Sequence, residues 1–300
     1  MVSAMNKQPS PLLLPYVPPW NWQQFHAYFA LRCLPDIEQV SADGYRRTFR
    51  IGAVSGWFAL RHRPEHSALE LSVSPSAVDV LPLLAARVKR MFDLDTDTGE
   101  IARHLSQDSQ LAALVARYPG LRIPTAFDPF EQAVRAIVGQ QVTVKAAVTI
   151  VGRLVKRLGD ALPAAPDDGP ARLFPTPLAI AEANLDGIGM PGKRVATLQG
   201  FARALIDGSL ALHADDGVDD LLERLCALPG IGPWTAQYIA LRAFGVADAF
   251  PASDLGLLKA KLWGNAGINA RALTAQAEAW RPWRAYAAMY LWQSYAEPEE

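Results

Sequence analysis

Between residues 228 and 236 the chain reads Leu-Pro-Gly-Ile-Gly-Pro-Trp-Thr-Ala, and twenty residues after Trp234 stands Asp254, in the string Phe-Pro-Ala-Ser-Asp. These two strings constrain the fold more than any other part of the sequence. Gly230 and Gly232 allow positive φ and close approach of the backbone to another surface. Pro233 suits the first turn of a helix, where its missing N–H costs nothing. The spacing predicts two helices joined by a very tight turn, with backbone amides gathered at the start of the second. Such an end favours a phosphate group. Taken alone, Gly-Ile-Gly is equally an ordinary helix corner with a glycine cap. A carboxylate just beyond the second helix adds chemistry to the clamp, and the pair suits an enzyme that works on nucleic acid.

The 300 residues give room for two or more domains, each with its own core. A composition of 50% hydrophobic and 20% charged residues is that of an ordinary soluble globular protein. The formal net charge of −1 is not that of a strongly basic nucleic-acid binder. Phosphate contacts must then come from helix N-termini and a few placed cations. Lys145, Lys193, Arg194, Lys259 and Lys261 are candidates, although most such charges only solvate a surface. Two cysteines, Cys33 and Cys226, cannot build a disulfide framework, a four-cysteine zinc site or an iron–sulfur cluster. A reduced, cytoplasmic setting is the default. The N-terminal Pro-Leu-Leu-Leu-Pro run lacks the apolar core of a secretory signal. No apolar run approaches the ~18 residues of a membrane span.

Residues 1 to 20 are Pro-rich and expected to be extended. Trp22, Phe25, Phe29 and Cys33, with Tyr28 beside them, predict a helix over 22–34 packed on one face. Strand-like runs follow at 45–51, 55–61 and 68–73, then a helix over 78–92. Together they make an α+β domain ending near Thr98, and no strand pattern appears after it. Asp128-Pro129-Phe130-Glu131 has an N-cap Asp, Pro at the first helical position and Glu three residues after the cap. The helix it starts runs to Val138, Gly139-Gln140-Gln141 interrupts, and a second helix reaches Leu158. Residues 159–175 read as a loop, and short turns separate helices from there to the end, in one or two bundles with a cleft between them. Leu185-Asp186-Gly187-Ile188-Gly189-Met190-Pro191 echoes the hairpin, but Gly192-Lys193-Arg194 departs from it, and a plain helix corner is expected there.

The nine-residue string with Thr235 and the downstream Asp254 resembles the helix-hairpin-helix, Gly/Pro-rich loop and aspartate motif of the base-excision DNA glycosylase superfamily. Three further stretches extend the likeness over nearly the whole chain: Arg135-Ala136-Ile137-Val138-Gly139-Gln140-Gln141-Val142, Gly189-Met190-Pro191 with Lys193-Arg194, and Trp280-Arg281-Pro282-Trp283-Arg284. Within the superfamily the chain is similar to the AlkA type, the 3-methyladenine DNA glycosylases. The resemblance implies an α+β N-terminal domain over 1–98, like half of TATA-binding protein, followed by all-α helix-hairpin-helix glycosylase domains. The central one, with the hairpin, would span 128–246, and the outer one 99–127 with 247–300. A monomer acting on duplex DNA that contains damaged bases is expected.

The implied reaction is hydrolytic removal of alkylated purines such as 3-methyladenine and 7-methylguanine. Breaking an N-glycosidic bond develops an oxocarbenium-like charge on the sugar, which a carboxylate stabilises while orienting or deprotonating water. Asp254 matches the catalytic aspartate. Its place before Leu255, Leu257 and Leu258 also reads as a helix N-cap, and it can serve both purposes. Asp248 reads as a loop residue. Superfamily members that also cut the strand carry a Schiff-base lysine immediately before the residue corresponding to Thr235. Trp234 stands there, which implies a monofunctional enzyme that leaves an abasic site.

Repair of a base requires rotating it into a pocket. A cationic purine is attracted to aromatic faces by roughly 0.5–2 kcal/mol. Trp234 and Tyr238 are i, i+4 and share a helix face; Trp292 and Tyr28 match further pocket positions, whereas Trp280 and Trp283 are assigned to packing. Leu255 and Gly256 stand where the family has larger side chains, which suggests a roomy pocket. Gln141 occupies the position of the wedge that fills the gap left by the base. Gly230, Ile231, Gly232 and Thr235 would meet the DNA backbone. Main-chain carbonyls of Cys226, Leu228 and Ile231 would hold a monovalent cation, sodium or potassium, with the Cys226 thiol a small core residue. No other cofactor is required. Two alternatives stand: a related glycosylase for deaminated or oxidised bases, many of which carry the lysine or an iron–sulfur cluster, and a non-catalytic DNA-structure binder, against which Asp254 argues.

Overall fold

Buried apolar residues recur with a period of two along three strands, interrupted on the first by the buried Arg47, and that period builds the sheet. Tyr45, Phe49 and Ile51 come from the first of these strands, Phe58 and Leu60 from the second, and Leu69, Leu71 and Val73 from the third. The computed structural model describes residues 9–166, 168–215 and 217–297. They form two units whose segments alternate along the chain. One takes the residues up to Tyr16 with Trp22–Lys89 and Ile137–Ser209; the other takes Val17–Asn21, Arg90–Ala136 and Leu210 onward.

The strands are β1 (Leu12–Pro15), β2 (Glu38–Val40), β3 (Gly44–Ile51), β4 (Val54–Arg63) and β5 (Ala68–Val73). The helices in the first half are α1 (Trp22–Arg32), α2 (Leu81–Met91), α3 (Thr98–Leu105), α4 (Ser109–Arg117), α5 (Pro129–Val138) and α6 (Val144–Leu158). Then come α7 (Pro177–Glu182), α8 (Gly192–Ile206), α9 (Val218–Cys226), α10 (Pro233–Phe244), α11 (Leu255–Leu258), α12 (Ala270–Ala277) and α13 (Arg284–Ala296).

In the first unit the five strands form one antiparallel sheet in the order β1-β5-β4-β3-β2. Helix α1 buries Trp22, Phe25 and Phe29, and the Phe29 ring lies 5.0 Å from that of Tyr45. The expected runs 45–51, 55–61 and 68–73 fall on β3, β4 and β5. Two strands escaped the pattern. The proline-flanked β1 pairs with β5 at the sheet edge, Leu12 opposite Leu71, and an edge is where a strand tolerates Pro15. The other, β2, has three residues, too few to show alternation. Its Glu38 is buried and accepts from Tyr45 Oη at 2.6 Å and Leu34 N at 3.1 Å. The described residues of 159–175 form a loop with one isolated bridge, Ala161 to Arg172, and are tied to β3 by Thr48 Oγ1 donating to Arg172 O at 2.6 Å.

The described part of the second unit is helical. Helix α13 is buried on all sides from Ala285 to Leu291, which is why its sequence shows no polar stripe. Arg122 is fully buried, and its guanidinium donates to the carbonyls of Val17, Pro19, Asp93 and Thr96. A buried charge is tolerable on those terms, and the four bonds tie the 17–21 segment into its unit. Trp280 packs in the core, 1% exposed, with Nε1 donating to Asp108 Oδ2 at 2.7 Å.

Candidate active site

The predicted hairpin joins α9 to α10. Gly230 takes φ +85, and Ile231 N–H closes the turn on Leu228 O at 3.1 Å while its side chain is buried. Gly232 does not behave as expected. It caps α10 at φ −99 and ψ 177, ordinary extended backbone, so Gly230 alone of the pair uses left-handed space. A Cβ built on Gly232 would meet no atom of the chain. The first intrahelical bond is Ala236 N–H to Gly232 O at 3.0 Å, so the preceding amides lie at the open helix end. The Thr235 side chain is buried, which leaves its main chain at the turn. The Cys226 side chain is exposed, contrary to the core assignment.

The echo at 185–191 is more than a plain corner. Ile188 N–H bonds Leu185 O at 3.2 Å, Gly187 takes φ +68 and Ile188 is buried, repeating the geometry of the hairpin turn. The two diverge at the next residue, where Gly189 has φ +103. There Arg153 Nη1 donates to Ile188 O at 3.2 Å.

Asp254 caps α11, its Oδ1 accepting from Gly256 N at 2.9 Å and Leu257 N at 3.4 Å. Two indoles complete its surroundings. Trp292 Nε1 donates to Oδ1 at 2.8 Å and Trp234 Nε1 to Oδ2 at 3.0 Å. Oδ1 is therefore saturated, while Oδ2 keeps a lone pair. The Trp234 and Tyr238 rings stack at 5.3 Å and 15°, and Trp292 meets Tyr238 edge-on at 6.2 Å and 79°. Four residues from α10, α11 and α13 thus form one cluster: an acid beside a half-buried aromatic wall.

Gly256 has a different meaning from the roomy pocket its size suggested. A Cβ there would stand 2.9 Å from Trp292 Cδ1, 3.1 Å from Trp292 Nε1 and 3.2 Å from Asp254 Oδ1. The indole of Trp292 fills that space, and glycine is what lets it reach the carboxylate. Leu255 beside it is 59% exposed.

Supporting residues escaped the sequence. Asp248 forms a two-point ion pair with Arg284, Oδ1 to Nε at 2.8 Å and Oδ2 to Nη2 at 2.9 Å, and also pairs with Arg281. With Phe250 N donating to Gln237 Oε1 at 2.9 Å, this fixes the loop that delivers Asp254. The Trp-Arg-Pro-Trp-Arg string carried the signal, but nothing local named Asp248 as its partner. Arg242, one turn beyond Tyr238, is 4% exposed and lies 4.8 Å from the centroid of Trp292.

Tyr28 and Gln141 belong to the first unit. Tyr28 is half-buried on α1 with the Arg32 guanidinium 4.1 Å from its ring. Gln141 is exposed on the turn before α6 at φ +56, a conformation uncommon for a side-chain-bearing residue. The candidate cations Lys145, Lys193, Lys259 and Lys261 are exposed. Among the described residues no cluster of His, Cys, Asp or Glu suits a metal ion, and no helix is long and apolar enough to cross a membrane.

A sheet-bearing unit joined to a helix-hairpin-helix unit whose following loop carries a capped aspartate defines a class of DNA-repair fold, and similarity to known proteins agrees. The AlkA N-terminal domain model matches residues 11–128, and the model for the HhH-GPD superfamily base excision DNA repair protein matches 134–285. The chain belongs to the HhH-GPD superfamily, in its branch with an AlkA N-terminal domain. It is 32% identical to DNA-3-methyladenine glycosylase 2 of Escherichia coli over 96% of this chain and 99% of that protein. It is 39% identical to a probable bifunctional transcriptional activator/DNA repair enzyme AlkA of Mycobacterium tuberculosis, over 96% of this chain but 57% of that longer protein. A 3-methyladenine DNA-glycosylase structure from Archaeoglobus fulgidus shares the fold, with TM-score 0.76 and 22% identity over 95% of this chain and 97% of that one.

Proposed function

We propose that the protein is a monofunctional DNA glycosylase that removes alkylated purines, such as 3-methyladenine and 7-methylguanine, from duplex DNA by hydrolysis. The observation that carries this reading is the double indole clamp on Asp254, which fixes a carboxylate against an aromatic wall with Oδ2 holding one hydrogen bond among the described residues. Four donors on the two oxygens hold the carboxylate in place. A fixed negative charge then stabilises the sugar cation as the C1′–N bond breaks. Both bonding electrons leave with the base, so a cationic purine departs neutral. Water forms the new bond to C1′, and its proton passes to Asp254 or to solvent. Trp234 in place of the Schiff-base lysine leaves the strand uncut.

The rest of the site supports the same reading. Trp234, Tyr238 and Trp292 present faces to a flipped base; the family resemblance further assigns Tyr28 to base contact and Gln141, at φ +56 on its turn, to the wedge. We assign Gly230, Ile231, Gly232 and Thr235 to contact with the DNA backbone, with Gly232 at the open N-terminal end of α10. The carbonyls of Cys226, Leu228 and Ile231 suit a monovalent cation. The repeated turn supports that assignment, because a guanidinium already sits on the matching carbonyl of Ile188. We place the protein in the cytoplasm, acting as a monomer on damaged duplex DNA.

The test is base release from a duplex containing 7-methylguanine. Wild type should leave an abasic strand that breaks only on heating with alkali, with no borohydride-trapped complex. Asp254→Asn should lose about 10²–10³-fold in single-turnover rate while still binding an abasic analogue, because Asn keeps the helix cap. Near-normal turnover of this variant would refute the catalytic assignment. A trapped covalent complex would refute the monofunctional one.

A further inference from the structure

The aromatic wall has a charged backing. Trp234, Tyr238 and Arg242 follow one another at i, i+4 and i+8 on α10, so they share one face of the helix. Burial deepens along that row, from the half-buried rings to a guanidinium 4% exposed. The Arg242 Cζ lies 4.8 Å from the Trp292 ring centroid and 6.0 Å from that of Tyr238. Its Nη1 donates to Pro124 O at 3.0 Å in a buried hydrogen bond, which fixes where the charge stands. The planar guanidinium of an arginine is a resident cation.

We infer that Arg242 is a specificity-determining positioning residue that sets how the pocket weighs cationic against neutral bases and draws the bonding electrons toward the leaving base. The inference rests on the glycosylase reading above. Ring faces attract cations, and here a resident cation already lies against Trp292 and near Tyr238. A purine stacked on the far side of the wall meets rings whose attraction is partly spent. It also feels the repulsion of the guanidinium behind those rings. In a protein interior that repulsion weakens binding of a cationic base by several-fold to about tenfold, and leaves a neutral base unaffected.

The effect on the chemical step differs from the effect on binding. When the C1′–N bond breaks, the base gains one unit of negative charge: a cationic purine becomes neutral and a neutral purine becomes an anion. The change is the same for both, and a fixed positive charge behind the base favours it for both. Arg242 therefore lowers affinity for cationic lesions and raises the rate of bond cleavage for every lesion. This makes the wall less selective for alkylated bases than its three aromatic rings alone would make it.

The test compares Arg242→Gln with wild type, on duplexes carrying 7-methylguanine or hypoxanthine, under single-turnover conditions at varied enzyme concentration. The half-saturating concentration for 7-methylguanine should fall several-fold while that for hypoxanthine stays put. The saturating rate should fall for both lesions by a similar factor. Arg242→Lys, which keeps the charge, should move both quantities back toward wild type. If Arg242→Gln does not fold, Arg242→Met, which fills the space without charge, is measured in the same way. An unchanged ratio of half-saturating concentrations, with both rates down, would make Arg242 a packing residue and overturn the inference. So would neutral variants that all fail to fold. Wild type that releases neither base defeats the glycosylase reading itself, and is recognised before any variant is compared.

Discussion

Trp292 Nε1 donates to Asp254 Oδ1 at 2.8 Å, joining the last long helix of the chain to the carboxylate that begins α11. The bond gives one indole two duties, since the same ring meets Tyr238 edge-on. Trp292→Phe keeps an aromatic face and removes the donor. A hydrogen bond to a charged group is worth about 1.5–3 kcal/mol. If that support is felt in the transition state, the single-turnover rate falls by about 10- to 100-fold, with the melting temperature little changed. A rate within twofold of wild type would show that Trp234 and the backbone amides hold Asp254 well enough alone.

Gly256→Ala should be more damaging than its one methyl group suggests. The new Cβ falls inside contact distance of Trp292 Cδ1 and Nε1 and close to Asp254 Oδ1. Overpacking of this kind costs about 1–3 kcal/mol. The expected outcome is a loss of at least tenfold in base release with reduced thermal stability. Faster turnover on bulky lesions would revive the roomy pocket.

The two hairpin glycines should separate folding from binding. Gly230→Ala forces a side chain to φ +85 and should cost about 1–2 kcal/mol of stability. Gly232→Ala meets no intramolecular neighbour and should melt like wild type. Its affinity for duplex DNA should nevertheless fall, equally for all sequences, because in the proposed reading a phosphate approaches through the space it fills. Measured by melting and by anisotropy, unchanged affinity in Gly232→Ala would remove the hairpin from the DNA interface.

Asp108 links acid conditions to stability. Burial raises its pKa, but donors from Trp280, the Gln110 amide, Gln276 and the Leu111 amide outweigh that, and the net direction is below the usual carboxylate range. A depressed folded-state value means stability that is present above the unfolded pKa and lost as pH falls through the lowered one. Asp108→Asn should therefore melt below wild type at neutral pH, with the gap narrowing as pH drops below about 4. A constant gap down to pH 2.5 would assign the loss to packing around Trp280.

Sequence by itself determined what depends on neighbours along the chain. Alternation over 45–73 gave the three long strands, Asp128-Pro129 marked the start of α5, and Gly-Ile-Gly-Pro marked the hairpin, because period, capping and φ preference are local properties. Asp254 as a cap followed from the leucines after it. The tertiary structure alone decided which groups from distant segments meet. The indole of Trp292 reaches Asp254 across 38 residues, Asp248 finds Arg284 across 36, and Arg242 comes to lie against Trp292. Gly256 shows the difference most clearly. In sequence it was a small residue in a presumed wall, and only the packing of α13 against α11 shows its missing side chain to be the seat of Trp292. A one-dimensional pattern records which faces are apolar. The identity of the atom filling each gap is fixed when separate helices close on one another, since close packing leaves each position with a single set of neighbours.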